Sequence, residues 1–140
     1  MADFTLQIQE KVTLGGVVRD SITTQTLSNI NYVDNRILTV PSGSITTIFS
    51  FDTASSAGTF LTSSFQYGRV TNKSTTIPVK LIVSSSVESM SYLINTGSSF
   101  ILSTTAVTGS TTGLLFNNII SVKLEPSSSA ADIEYFIIGT

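Results

Sequence analysis

The chain has no cysteine, no histidine and no tryptophan among its 140 residues. Without cysteine there is no disulfide framework and no thiolate chemistry, and the redox compartment leaves no trace in the sequence. Without histidine the commonest general base and the commonest transition-metal ligand are missing, and with them the Ser-His-Asp and Cys-His arrangements. Serine is abundant, yet no Gly-x-Ser-x-Gly elbow is present to expose one as a nucleophile. Charge is scarce as well: Asp, Glu, Lys and Arg make up 11% of the chain, against about 25% in ordinary soluble domains. The seven basic residues (Lys11, Arg19, Arg36, Arg69, Lys73, Lys80 and Lys123) are scattered singly. No basic stripe for nucleic acid results, and the expectation is no nucleic-acid partner. The longest apolar runs, such as Tyr135–Ile138, fall far short of the roughly 20 residues that a membrane helix needs, so no membrane partner is expected either. The opening MADFTLQIQEKV lacks a basic-then-apolar leader, which predicts a protein made in the cytoplasm without an export signal.

What the chain does have is alternation. Apolar residues make up 41%, which excludes a disordered tail, and Ser and Thr supply most of the polarity. Phe4, Leu6, Ile8, Val12 and Leu14 alternate with Thr5, Gln7, Gln9, Lys11 and Thr13 and predict a strand of about 10 residues, above the usual ~5–6. Such a strand (residues 1–14) either pairs within the domain or serves as an arm on a neighbour's sheet edge. Gly15-Gly16 then punctuates the chain. Val17–Thr26 alternates more weakly, with Asp20-Ser21 as a turn or bulge. Asp34-Asn35 reads as a two-residue turn. Leu38–Pro41 and Ile45–Phe51 read as a hairpin around Ser42-Gly43.

The clearest signal is Phe65–Ser85, where Phe65, Tyr67 and Arg69 alternate, Thr71–Ser74 interrupts, and Ile77, Val79, Leu81 and Val83 resume at period two. It reads as a hairpin. Pro78 lacks an N–H, so it belongs at a strand start or a sheet border. The loops expected at Asp52–Thr59 and Thr104–Gly113 are small and polar. Leu114–Phe116 and Ile120–Leu124 read as one strand interrupted by Asn117-Asn118. The last strand, Asp132–Ile138, is apolar on both faces after Tyr135 and predicts a central position. No segment holds helical periodicity. The expected fold is therefore one all-β domain over residues 1–140, an antiparallel β-sandwich or jelly-roll-like domain of about eight to ten strands.

Few groups offer chemistry. Asp132 and Glu134 lie two apart on one strand and so share a face. A cleft that split their pKa values would make them an acid–base pair for glycoside cleavage; the plainer reading is a polar cap on a solvent face. Asp20, Asp34, Asn35 and Asp52 fall near predicted turns, but no Asp-x-Asp-x-Asp-Gly calcium loop exists. Gly15-Gly16 has no following helix and is no phosphate loop. Tyr32, Tyr67, Tyr92 and Tyr135 fall in phase with core-facing or half-buried positions rather than on a sugar platform. Asn72-Lys73-Ser74 matches the N-glycosylation acceptor pattern but reads as a turn with Asn72 or Lys73 at its tip. The expectation is no catalytic residue, no cofactor and no metal.

Three stretches carry a likeness: RVTNKSTTIPVKLIV, YLINTGSSFIL and IISVKLEPSSSAADIEYFIIGT. In these the chain resembles small β-sandwich structural proteins of tailed bacteriophage virions: head-decoration (cement) proteins, neck and tail accessories, and fibre-attachment domains. The resemblance covers about half of the chain and transfers no functional residue. It implies a non-enzymatic virion protein, first a capsid-decorating subunit that stabilises the phage head, and alternatively a tail, neck or fibre-adaptor protein. A carbohydrate-binding module for host recognition is a second alternative. The implied partners are further copies of itself, as in a trimer, and the major capsid protein or other virion proteins. Low charge and Ser/Thr surfaces suit a subunit covered by neighbours, and closed symmetry lets one patch be reused. The residues expected at such an interface are Phe49 or Phe51 and Phe136, aromatics that alternation leaves outward, together with Arg69, Lys73 and Pro78 of the Phe65–Ser85 stretch.

Overall fold

Period-two patterning with Val, Ile, Phe and Thr at alternate positions builds strands and nothing else. The structure, a computed structural model, describes residues 2–52, 59–61, 64–85, 88–103 and 119–140. Among these there is no helix. The strands in chain order are β1 (Ala2–Leu14), β2 (Val17–Ile30), β3 (Tyr32–Val40), β4 (Thr46–Asp52), β5 (Thr59–Leu61), β6 (Phe65–Asn72), β7 (Val79–Ser85), β8 (Ser89–Ile94), β9 (Ser99–Ser103), β10 (Ile119–Pro126) and β11 (Ala131–Gly139). Most of the loop expected at Asp52–Thr59, all of the loop expected at Thr104–Gly113 and the strand start expected at Leu114–Phe116 lie outside the described residues.

The strands form a sandwich with a separate hairpin. A five-stranded sheet runs in the order β5-β4-β10-β7-β8 and a four-stranded sheet in the order β3-β11-β6-β9. All their pairs are antiparallel except the short β4–β5 pair. One core lies between them, built from Phe49, Phe51, Leu81, Val83, Val122 and Leu124 on one side and Phe65, Val70, Ile133, Tyr135 and Ile137 on the other. The last strand, β11, is central, between β3 and β6. Ile133, Ile137 and Ile138 on it are fully buried, as a two-sided apolar pattern requires.

Segments that read as hairpins are mostly crossings from one sheet to the other. β3 and β4, β6 and β7, β8 and β9, and β10 and β11 each lie in different sheets. The Phe65–Ser85 stretch is thus no hairpin and no border: β6 lies between β11 and β9, and β7 between β10 and β8. Alternation gives the face of a strand but not its neighbour, so it cannot separate a hairpin from an arch. Pro78 sits just ahead of β7, where no ladder N–H is needed, and its carbonyl accepts from Ser127 N at 3.1 Å. Two predicted turns also vanish into strands. Asp34-Asn35 lies inside β3, paired with Ile137 and Phe136, and Asp20-Ser21 lies inside β2, paired with Lys11 and Glu10.

Asn72 closes one end of the sandwich. It is fully buried at the end of β6, not at a turn tip. Its Nδ2 donates to the carbonyls of Ile77 (2.8 Å) and Ile94 (3.1 Å), and its Oδ1 accepts from Ser74 N (3.0 Å). Its backbone joins the β8–β9 crossing through Ser98 O and Gly97 N. The glycosylation pattern is therefore inaccessible in the folded chain. Replacing Asn72 by Ala strands two carbonyls and one N–H in the interior. Unfolding by denaturant should show Asn72→Ala destabilised by about 2–4 kcal/mol, with Asn72→Asp no better, since its carboxylate faces two carbonyl oxygens.

Candidate assembly interface

β1 and β2 form a hairpin of 13- and 14-residue strands that pair only with each other. The register runs from Leu14↔Val17 at the tip to Phe4↔Leu27 near the base. Gly15 and Gly16 make the two-residue turn at φ +59° and +80°, the left-handed pair that a type I′ turn demands. Near the base the register slips so that Ala2 meets Ile30. The extra residue is accommodated where Asn29 takes φ +65°, a conformation that Asn tolerates better than most residues.

Cross-strand partners share a face, so the register assigns two faces to this arm. One carries Phe4, Leu6, Ile8, Val12 and Leu14 from β1 with Val17 and Leu27 from β2, interrupted by Glu10 and Arg19 and flanked on β2 by Ser21, Thr23 and Gln25. The other carries Thr5, Gln7, Gln9, Lys11 and Thr13 with Thr24, Ile22, Asp20 and Val18. At the base, Phe4, Leu6 and Leu27 pack on Tyr67, Phe136 and Ile138, on the outer face of the four-stranded sheet. The Phe4 ring lies 5.2 Å from Tyr67 and 5.9 Å from Phe136. Beyond the base the arm leaves its own domain. Residues 7–24 are exposed throughout, with Val12 at 56%, Val17 at 59% and Leu14 at 72% exposure. Burying a Val or Leu contributes about 1.5–3 kcal/mol, so leaving Ile8, Val12, Leu14 and Val17 in water forgoes on the order of 5 kcal/mol or more. An isolated hairpin is at best marginal in water.

The outer face of the four-stranded sheet beside the arm is also unusually apolar. Val33 and Ile37 of β3 and Ile101 of β9 are 57%, 68% and 42% exposed. Between them lies a polar line on β11 and β6: Arg69 Nη2 meets Glu134 Oε1 at 2.7 Å, and Lys73 Nζ lies 3.8 Å from Glu134 Oε2. Asp132 accepts from Thr39 Oγ1 at 2.6 Å. The two carboxylates considered as an acid–base pair thus share an open sheet face, with Glu134 held by two cations. Among the described residues no group of three or more acidic side chains gathers into a metal site.

The residues expected at an interface divide accordingly. Phe136, Arg69 and Lys73 come together on this outer face, with Phe136 half covered by the arm base. Phe49 and Phe51 do not join them. Both point inward, 4% and 6% exposed, and stack edge-on at 5.5 Å in the core. The phase of β4 is set by the aromatic cluster with Phe60 and Phe65, which composition alone does not orient. Pro78 stands apart, at the start of β7 in the other sheet. What the reading of the sequence missed is the second arm strand. The signal was present: Gly-Gly flanked by Leu14 and Val17 is a hairpin turn, while the turn-favouring pair Asp20-Ser21 lies in mid-strand beyond it.

At the seam where β3 and β5 border the sandwich, a cleft of about 380 Å³ is lined by Tyr32, Asp34, Arg36, Ile48, Phe60 and Tyr135. Tyr32 is 43% exposed and meets Phe60 edge-on at 4.9 Å. Asp34 accepts from Tyr135 Oη at 2.9 Å and from Arg36 Nε at 2.9 Å. Burial, and then the bond to Asp34, push the Tyr135 phenol up to about 12. Because the folded state favours the neutral phenol, this contribution to stability is complete below about pH 10, the ordinary tyrosine value, and disappears as pH rises to about 12. Ultraviolet titration of the phenolates should show one late step near pH 12 that Tyr135→Phe removes and Asp34→Asn brings down.

Comparison with protein-family models, with curated proteins and with solved structures finds no match to this chain.

Proposed function

We propose that this chain is a non-enzymatic structural subunit of a virion, in the first place a capsid-decorating protein that stabilises the head of a tailed phage. The observation that carries the reading is the arm: a hairpin two to three times the usual strand length, apolar on one face, whose outer half its own domain leaves uncovered. A chain that worked alone would gain nothing from it and would risk aggregation through it. A subunit that binds an assembled shell and not its free components stabilises the shell by mass action, in proportion to the logarithm of concentration over Kd. The exposed Ser/Thr-rich surface and low charge suit such covered positions. Location in the tail, neck or fibre base would use the same arm at lower copy number.

The seam cleft supports a second reading, a carbohydrate-binding module, because an exposed Tyr32 edge stands beside Asp34 and Arg36. Quantitative mass spectrometry of purified particles should find this chain at hundreds of copies. A handful of copies would move it to the tail, and its absence from particles would overturn the virion reading. Binding on a glycan array that Tyr32→Ala abolishes would establish the second reading in its place.

A further inference from the structure

The apolar residues of the arm recur along one face from base to tip, on both sides of Glu10 and Arg19. Phe4, Leu6 and Leu27 at its base already rest on the outer face of the four-stranded sheet, and Ile8, Val12, Leu14 and Val17 extend the same stripe into solvent. The sheet face that receives the base also has exposed apolar residues, on both sides of its polar line. It carries Val33, Ile37 and Ile101 on either side of Phe136, all exposed or half-exposed. One molecule therefore holds an uncovered stripe and an uncovered patch of the kind that this stripe already packs on. We infer that the outer half of the arm packs on the Val33–Ile37 patch of a second copy of this chain, in a reciprocal exchange of arms.

Charge agrees with this occupant. The stripe is broken by one acid and one base, Glu10 and Arg19, and among the described residues neither belongs to an ion pair within the chain. The patch is broken by Glu134 with Arg69 and Lys73 beside it. An arm laid across this line sets Arg19 toward Glu134 and Glu10 toward Arg69 or Lys73. Size agrees as well. From Ile8 to Leu14 the arm reaches about 20 Å, and its two strands are about 10 Å wide, so one face offers about 200 Å² in projection. A single arm on a single patch is too small for a specific interface. Two arms on two patches, counting both surfaces of each contact, bury about 800 Å² in projection, close to the lower limit of a specific interface. Reciprocal use of one patch is what closed symmetry provides.

This inference rests on the assembly reading above but fails separately from it. The absence of cysteine allows a clean test. A chain carrying Val12→Cys is mixed with a chain carrying Ile37→Cys and treated with a short bis-maleimide, while sedimentation gives the mass of the untreated wild type. The expected result is a closed oligomer, a covalent product joining one copy of each variant, and at least tenfold weaker association for Val12→Glu with Leu14→Glu than for Ile22→Glu on the opposite face. Circular dichroism confirms that the glutamate variants retain their sheet content. A monomeric wild type across the micromolar range, or Val12→Cys chains linked only to one another, overturns the inference. A monomer that still enters particles in an arm-dependent way overturns it and leaves the virion reading standing.

Discussion

The sandwich depends on the side-chain amide of Asn72. Two crossings between the sheets meet there, β6 to β7 and β8 to β9, and one buried amide supplies hydrogen bonds to both. The chain leaves its sheets at these crossings, and there the Asn72 amide donates to the carbonyls of Ile77 and Ile94. Leaving such groups unpaired in the interior costs more than most single contacts contribute. A small amide with two donors and an acceptor answers the need, and no apolar residue of similar volume would. With that end closed, β6 and β7 are fixed in different sheets and the aliphatic faces of both turn toward one core.

The same logic explains why the arm differs from the sandwich. In the sandwich the inner strands find apolar cover across the core and a backbone partner on each side. The arm satisfies its backbone internally, through twelve register pairs from Ala2↔Ile30 to Leu14↔Val17, but has cover for its side chains only at the base. Hydrogen bonding and burial, which go together in the inner strands, come apart from Gln7 outward. A structure with the first and without the second is a surface prepared for contact.

Legibility in the sequence followed the physics of alternation. Where alternation is strict a strand's existence and inner face are encoded locally, so β7 and β11 were readable from Val79, Leu81 and Val83 and from Ile133, Tyr135 and Ile137. The partner of a strand is not encoded locally. Phe65–Ser85 and Leu38–Phe51 have hairpin patterns and are arches, because Asn72 and the turn at Gly43 serve a crossing as well as a return. Asp34 misled for another reason: a residue that favours turns sits in mid-strand because Tyr135 and Arg36 complete its hydrogen bonds. Of the interface residues, Phe136, Arg69 and Lys73 fell on one face. Phe49 and Phe51 did not, since their phase is fixed by Phe60 and Phe65, partners distant in sequence.

The pairing of β3 with β11 has a consequence in time. Tyr32 meets Gly139 and Val40 meets Ala131, so the four-stranded sheet gains its central strand only once Ala131–Gly139 are present. The arm needs nothing beyond its own residues to zip from Gly15-Gly16 inward, and hairpins form in about 1–10 μs. Pairings of such long range close far more slowly. The arm can therefore pair transiently before the domain exists, and it is held in place only once Tyr67 and Ile138 receive its base. The arm's apolar edge then meets other chains before Tyr67 and Ile138 exist as a platform for its base. Glu10 and Arg19, set within that face, place a charge of each sign there, the kind of residue that opposes indiscriminate pairing.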